Sequence, residues 1–299
     1  MQVTIIGTGL MGCSLGLALK KAGHFVCGAD TNDQHLLEAM QKGALDSAEP
    51  LETAISDSDL VVLCVPVDII AALLPNILDQ IPADTIVMDM GSTKLDICTR
   101  VSSHARRQDF VAVHPMAGVE HSGPGAAHVD LFLGARVIIC DAQQSSSAAL
   151  NKVLGVLQEL KMKVIFMDSD EHDRQLALVS HLPQFIAYAL ASLDDFDKDA
   201  NKSWTELGGG GLQSSIRLGK SDADMWMPIF QQNKDYLLQY VDNYINQLSL
   251  LKNMLEKEQF QLLKQCISKA NQNYERLNYR NNKPRPLIPN QGAPKVFYS

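Results

Sequence analysis

Residues 3–30 read VTIIGTGLMGCSLGLALKKAGHFVCGAD: a β-branched run, three spaced glycines, an apolar helical segment and a second strand-like run that closes on Asp30. Gly7, Gly9 and Gly12 form a G-x-G-x-x-G that directly follows one predicted strand and opens a predicted helix, the context that makes so short a motif informative. Gly7 permits the tight turn, Gly9 lets the backbone approach a pyrophosphate, and Gly12 lets the helix pack closely on the strand. The helix N-terminus, with Leu10 and Met11 in its first turn, presents unpaired N–H groups to the phosphates. Asp30 is placed to accept the adenosine ribose hydroxyls. A 2′-phosphate there would meet like charge; no Arg adjoins Asp30 and Asp33 adds a second acid, so the unit is expected to prefer NAD to NADP. The alternative is a glycine turn that binds no dinucleotide.

Outward from this unit, β-branched runs recur at 60–65, 85–89, 110–114, 136–140 and 164–167. Helical spacing separates most of them, as in Leu15, Leu19 and Ala22 or Ile70, Leu73, Leu74 and Ile77. The alternation predicts an α/β fold with a mostly parallel, doubly wound sheet of Rossmann type. No strand is predicted after Glu171. A nucleotide-binding domain over 1–168, an all-α domain over 169–280 and an extended or flexible tail over 281–299 are therefore expected. The longest helical signal comprises Leu237, Val241, Tyr244, Leu248, Leu251 and Leu255, widened by Leu238 and Ile245. Burial within the domain could cover that face; a homodimer is preferred, because the helical half is small for so much apolar surface.

Composition bounds the class. At 299 residues, 46% hydrophobic and 20% charged, the chain reads as a two-domain globular protein. No apolar run could span a bilayer and no leader precedes the first strand, so a cytoplasmic location is expected. The net charge of -8 disfavours nonspecific binding to nucleic acid or anionic membrane and leaves a small molecule as the expected ligand. Six cysteines without a C-x-x-C pair read as reduced and mostly buried.

Five further stretches carry candidate chemistry. Val65 and Pro66 end the run at 60–65, at the carboxyl edge of the sheet beside the expected nicotinamide. In VMDMGSTKLD (87–96), Ser92 is either the N-cap of a helix over 94–101 or a hydroxyl directed at substrate, and both can hold. In VAVHPMAGVEHSGPGAAHVDLF (111–132), His114 is expected to end a strand, with Pro115 forcing the chain out of regular structure and aiming the imidazole into the crevice. In DEHDRQLALVSHLPQFIAYAL (170–190), Ser180, His181 and Gln184 interrupt an apolar helix that carries Pro183. They read either as a satisfied polar cluster at a kink or as the wall of a ligand pocket. LGGGGLQSSIRLGKSDADMW (207–226) suggests a glycine loop delivering Arg217 to a carboxylate. His172 and His181, nine residues apart, would face opposite sides of a regular helix, so no metal site is expected.

Together, GTGLMGCSLGLAL, DMGSTK, HPMAGVEHSG, EHDRQLALVSHLP and GGGLQSSIRLGKSDADMW resemble the prephenate/arogenate dehydrogenase family, in its order and over roughly residues 1–280. The resemblance implies a nucleotide-binding domain, a helical dimerisation domain and NAD-dependent oxidative decarboxylation on the route to tyrosine. It implies His114 as acceptor for the substrate's ring hydroxyl and Ser92 as a second partner of that hydroxyl and of the nicotinamide. It further implies Arg217 on the ring carboxylate, Glu120 as a gate near that arginine, and Trp226 reaching the neighbouring subunit's site. Gln184 stands where many relatives have a histidine that meets the substrate's side-chain end, Val119 where threonine is common, and Ser214 where an acid is frequent. These departures leave the choice between prephenate and arogenate open, with prephenate slightly ahead. The alternatives are another two-domain hydroxyacid or imine dehydrogenase, for which Lys202, Lys220 or Lys234 would have to act, and a non-catalytic NAD sensor.

Overall fold

The computed structural model describes residues 1–118, 121–193 and 209–282, the last six by their backbone alone. Its centre is one eight-stranded sheet in the order β3-β2-β1-β4-β5-β6-β7-β8. The strands are β1 (Gln2–Ile6), β2 (Phe25–Ala29), β3 (Ser47–Ala48), β4 (Leu60–Leu63), β5 (Ile86–Asp89), β6 (Phe110–Met116), β7 (Arg136–Cys140) and β8 (Lys163–Met167). Every neighbouring pair is parallel except β6 and β7. The expected runs all form strands. β3 was not expected, since two residues carry no readable period.

Helix α1 (Leu10–Lys21) follows β1, and its Leu15 and Leu19 pack with Val3, Ile5, Val62 and Met88. Helix α4 (Val67–Gln80) follows β4, and its Ile70 and Leu74 pack with Val61, Leu63 and Val87, the side chains of the opposite face. The two helices therefore leave adjacent strands for opposite faces. That makes the β1/β4 carboxyl edge the topological switch point, where open α/β sheets bind ligands. Helices α2 (Asp33–Gln41), α3 (Leu51–Ser56), α5 (Leu95–Arg100) and α6 (Ser147–Glu159) complete the layers.

Two local expectations are corrected. β6 does not end at His114: it runs through Pro115 to Met116, with Pro115 opposite Val137 of β7. The Val113 amide points away from β7, towards the Asp89 side chain on the β5 side, and Pro115 two residues on shares that direction. The β5–β6 ladder has already ended at the Met88–Val111 pair, so no acceptor there misses an N–H and the proline is tolerated. Helix α5 begins at Leu95 with Lys94 as its N-cap residue, so Ser92 does not cap it.

After β8 come α7 (Ser169–Leu176), a π-helical turn (Ala177–His181) and α8 (Leu182–Ala191), with Pro183 in the first turn of α8. The kink expected at Pro183 is thus a π-bulge immediately before it, and the stretch between His172 and His181 is not a regular helix. Further helices are α9 (Gly210–Ile216), α10 (Ala223–Gln232), α11 (Lys234–Glu256) and α12 (Phe260–Asn282). The chain forms two compact units, Met1–Leu237 and Leu238–Ser299. Helix α12 runs through residues 281 and 282, which the sequence placed in the tail; residues 283–299 lie outside the described ones. On α11, Leu238, Ile245, Leu248 and Leu255 are each about half exposed in the single chain. Among the described residues no helix is long and apolar enough to cross a membrane. All six cysteines are free, four of them buried.

The glycines of the turn are not equivalent. A Cβ on Gly12 would lie 1.9 Å from the Gly7 carbonyl oxygen, whereas a Cβ on Gly9 would meet nothing within 4 Å. Gly12→Ala is therefore expected to cost about 1–3 kcal/mol in urea unfolding, the usual penalty of overpacking, and Gly9→Ala to leave the midpoint where it is. Equal midpoints for the two variants would contradict this packing.

Candidate active site

At the switch point, Gly7 adopts φ +90, and a Cβ there would sit 2.6 Å from the Val65 side chain and 2.8 Å from the Cys64 carbonyl oxygen. Gly9 is the N-cap residue of α1 and offers no side-chain acceptor, so the amides of the first turn, at Leu10, Met11 and Gly12, are available to an external anion. The Asp30 carboxylate is held by the loop: Oδ2 accepts from the Thr8 amide (2.7 Å) and hydroxyl (3.0 Å), and Oδ1 from the Asn32 amide (2.9 Å). A carboxylate has about four acceptor positions, so capacity remains for ribose hydroxyls. His35 Nδ1 lies 3.6 Å from Asp30, a neighbour the sequence reading missed. Pro66 is the N-cap residue of α4, which starts the second helix bordering the crevice. A turn with open space over Gly9, free helix-terminal amides and a pre-held acid suits a dinucleotide.

His114 lies on the other side of the crevice. Alternation along β6 places it on the same face as Phe110 and Ala112, which pack with Leu176 of α7. There its Nδ1 meets His172 Nε2 at 2.8 Å, and His172 Nδ1 meets Asp173 Oδ1 at 2.7 Å. Asp173 also accepts from the amides of Lys94 (2.8 Å) and Leu95 (2.9 Å), and so caps α5 from a different helix. This is why Ser92 is not needed as a cap. Burial holds His114 well below 6.5, with the Lys94 ammonium acting in the same direction, so the ring is neutral at pH 7. Its Nε2 makes no hydrogen bond among the described residues.

The loop that carries Ser92 is clamped twice. Asp89 takes the Lys94 ammonium on Oδ2, together with the Gly91 amide, while its Oδ1 accepts from Val113 beside His114. Asp89 and Lys94 are both wholly buried. Residues 91–94 therefore have little freedom, and Ser92 is left half-buried with no hydrogen bond to another described residue. On the far side, the His128 amide donates to Ser14 of α1 and the Lys42 ammonium donates to the Gly125 carbonyl, which pins the loop after β6.

The helical wall is tied together as well. Asn233 donates its amide to the Asp173 carbonyl (2.7 Å) and lies 3.0 Å from His181 Nδ1, with which it hydrogen-bonds. Burial lowers the His181 pKa to about 4. Trp226 stacks edge-on against His181 with centroids 5.9 Å apart, within its own chain. Gln184 is buried and donates to the Leu218 carbonyl at 2.7 Å, and Tyr188 donates to the Ser221 carbonyl at 2.9 Å, so α8 holds both ends of the short helical turn Arg217–Lys220. Arg217 itself is exposed, and Ser180 is half-buried. Glu120, like Val119 and Lys202, lies outside the described residues.

The structure thus joins His114 through α7 to the loop of Ser92, and joins Gln184 to the turn of Arg217. Sequence reasoning gave no role at this site to Thr8, Asp89, Lys94, Asp173 and Asn233, and weighed His172 only as a metal ligand. A signal existed for two of them: Asp89 and Lys94, opposite in charge and five residues apart, flank the short Met-Gly-Ser-Thr loop that carries Ser92.

Fold and crevice together define a dinucleotide-dependent oxidoreductase, built as a doubly wound sheet with helices appended. Comparison narrows the class. A family model described as the prephenate dehydrogenase nucleotide-binding domain matches residues 15–166, and one described as the prephenate dehydrogenase dimerization domain matches residues 168–269. The prephenate dehydrogenase of Bacillus subtilis is 27% identical over 303 residues, covering 99% of this chain and 79% of that protein. The cyclohexadienyl dehydrogenase of Zymomonas mobilis is also 27% identical, over 86% of this chain and 89% of its own. A crystal structure of prephenate dehydrogenase from A. aeolicus, in complex with hydroxyphenyl propionate and NAD+, aligns with a TM-score of 0.82 at 26% identity, covering 93% of this chain and 98% of that one. The chain belongs to the prephenate dehydrogenase family.

Burial keeps His114, His172 and His181 below the ordinary histidine value of 6.5. The unfolded chain therefore binds more protons than the folded one just below pH 6.5, and stability falls with pH through the window down to about 4 set by His181. The urea midpoint is expected to decline already between pH 6.5 and 5, above the range in which ordinary carboxylates titrate; a flat midpoint there would show these rings to be charged or exposed.

Proposed function

We propose that the protein catalyses NAD-dependent oxidative decarboxylation of a cyclohexadienyl acid, prephenate slightly ahead of arogenate, in tyrosine biosynthesis. The observation that carries the reading is His114: a buried, neutral imidazole at the carboxyl edge of the sheet, bonded through Nδ1 and, among the described residues, without a hydrogen bond at Nε2. In this reading Gly7, Gly9, Leu10, Met11 and Gly12 hold the pyrophosphate, Asp30 the adenosine ribose, and Val65 and Pro66 border the nicotinamide. When bound, NAD+ supplies the hydride acceptor. The carboxylate at Asp30 disfavours a 2′-phosphate, which supports NAD over NADP.

The substrate brings most of the driving force, since loss of CO2 makes the ring aromatic. What the chain must supply is orientation and a place for one proton. His114 Nε2 accepts the proton of the ring hydroxyl as hydride leaves C4. The pair of the C1–carboxylate bond then moves into the ring, and the oxygen reclaims its proton to become the phenol. The proton is borrowed and returned, so atoms and charge balance as prephenate plus NAD+ giving 4-hydroxyphenylpyruvate, CO2 and NADH. Ser92, on its clamped loop, is a second hydrogen-bond partner for the hydroxyl. Arg217 holds the ring carboxylate, with Gln184 and Tyr188 fixing its turn, and Glu120, Ser180 and His181 complete the substrate side.

We read residues 1–168 as the NAD-binding domain and 169–280 as the helical substrate and dimerisation domain. The half-exposed leucines and isoleucine of α11 support a homodimer through the helices, and the family description of that region supports it too. Within one chain Trp226 rests on its own His181, and reaching a second subunit's site would need the dimer. The composition supports a cytoplasmic enzyme that engages neither nucleic acid nor membrane.

The test is NADH formation by the purified protein with prephenate and with arogenate, NAD+ then NADP+. Turnover with at least one acid and NAD+ is expected. His114→Ala should lower kcat about 10²–10⁴-fold, the usual scale for a lost acid–base group, while retaining NAD+ affinity. Arg217→Ala should mainly raise the KM of the acid. Silence with both acids would favour a hydroxyacid dehydrogenase or an NAD-binding sensor.

A further inference from the structure

The neutral His114 ring has two tautomers, and only the one with Nδ1–H and a bare Nε2 can accept a proton from substrate. Solvent does not make that choice, because Nδ1 is buried against a second imidazole. The chain of donors and acceptors resolves it. Asp173 accepts from two backbone amides, Lys94 on Oδ1 and Leu95 on Oδ2, and no donor proton can come from its side. His172 Nδ1, 2.7 Å from Oδ1, must therefore carry the hydrogen. Burial depresses the pKa of His172 although Asp173 opposes it, so the ring is neutral and its Nε2 is an acceptor. The 2.8 Å contact with His114 then requires Nδ1–H on His114, which leaves Nε2 bare.

We infer that His172 and Asp173 are positioning residues which, with His114, form a buried Asp–His–His chain that fixes the accepting tautomer of His114 and stabilises the imidazolium formed when it takes the substrate's hydroxyl proton. This rests on the reading of His114 as that acceptor. The logic is that of any carboxylate–imidazole pair in which the acid orients a base without itself becoming protonated. Here a second imidazole is interposed. The proton taken at Nε2 stays there until the product oxygen reclaims it, while the Nδ1–H bond to His172 shortens and shares the positive charge. Two placements make the arrangement more than a core polar cluster. His172 is wholly buried, and among the described residues its two ring nitrogens bond to His114 and Asp173. Asp173 itself is immobilised by the two amides that open α5.

Three measurements test this on the full-length protein. Selective ¹⁵N labelling of histidine should show His114 protonated at Nδ1 and bare at Nε2 at pH 7; a proton on Nε2 in the unmodified protein would overturn the inference, and this readout needs no variant to fold. His172→Phe fills the buried site but removes the acceptor. It should lower kcat about 100-fold or more with NAD+ affinity and the substrate's KM little changed. His172→Gln, which can still accept from His114 and donate to Asp173, should recover at least a tenfold part of that loss. The decisive comparison is the double variant. If His172 acts through His114, His172→Phe costs almost nothing further in a His114→Ala background. An equal loss in both backgrounds would make His172 merely structural and overturn the inference, leaving the reading of His114 intact. Full activity of His114→Ala alone would overturn both.

Discussion

The Asp173 carboxylate is the point at which the sheet half and the helical half agree on a geometry. It is one side chain on α7, yet it receives the amides that open α5 and the imidazole of its own neighbour, and its backbone carbonyl receives Asn233. Removing it would leave one buried amide, one part-buried amide and one buried imidazole N–H without acceptors. Each such group costs about 1–3 kcal/mol. The same bonds set the loop of Ser92 and the orientation of His114, so the stability of this junction and the precision of the catalytic crevice have one origin.

A second buried acid does complementary work. Asp89 and Lys94 form an ion pair with no exposure at all, and such pairs rarely repay the cost of leaving water. Losing either partner would strand a charge in the core at a cost of about 3–5 kcal/mol. What the pair provides is definition: Asp89 also binds the amides of Gly91 and Val113, so the loop and β6 are registered against each other by a single carboxylate. Its negative charge also opposes, at the His172 ring, the ammonium of Lys94, which by itself would push that imidazole further towards neutrality. Burial remains the dominant influence on the His114 and His172 rings.

The sheet was legible because parallel strands covered on both faces must be continuous β-branched runs, and seven of them stood out between helical spacings. The glycine turn was legible because steric exclusion at Gly7 and Gly12 is written in residue identity. Features set by long-range pairing were not legible. Pro115 looked like a strand terminator, and only the early end of β5 explains why it is not one. Ser92 looked like a cap, but the cap comes from a residue 79 positions away from Lys94. His172 and Asp173 sat in view inside a recognised motif, yet nothing local tells an exposed polar pair at a helix start from a buried one aimed at His114.

The helical wall shows how a single backbone irregularity can serve the site. A regular helix from His172 would carry His181 round to the opposite face, away from Asn233. The π-helical turn at Ala177–His181 changes the angular step within that interval, and Asn233 then reaches both the Asp173 carbonyl and His181. Pro183 falls at the second position of α8, directly after the π-helical turn in which the Leu182 amide bonds to the Ala177 carbonyl, and its missing N–H limits where the regular ladder can resume. From there the spacing to Gln184 and Tyr188 is that of one turn, and both side chains grip the segment that carries Arg217. Register established at Asp173 is in this way transmitted along α7 and α8 to a cationic group on the far side of the wall, by hydrogen bonds to backbone rather than by contacts among charges.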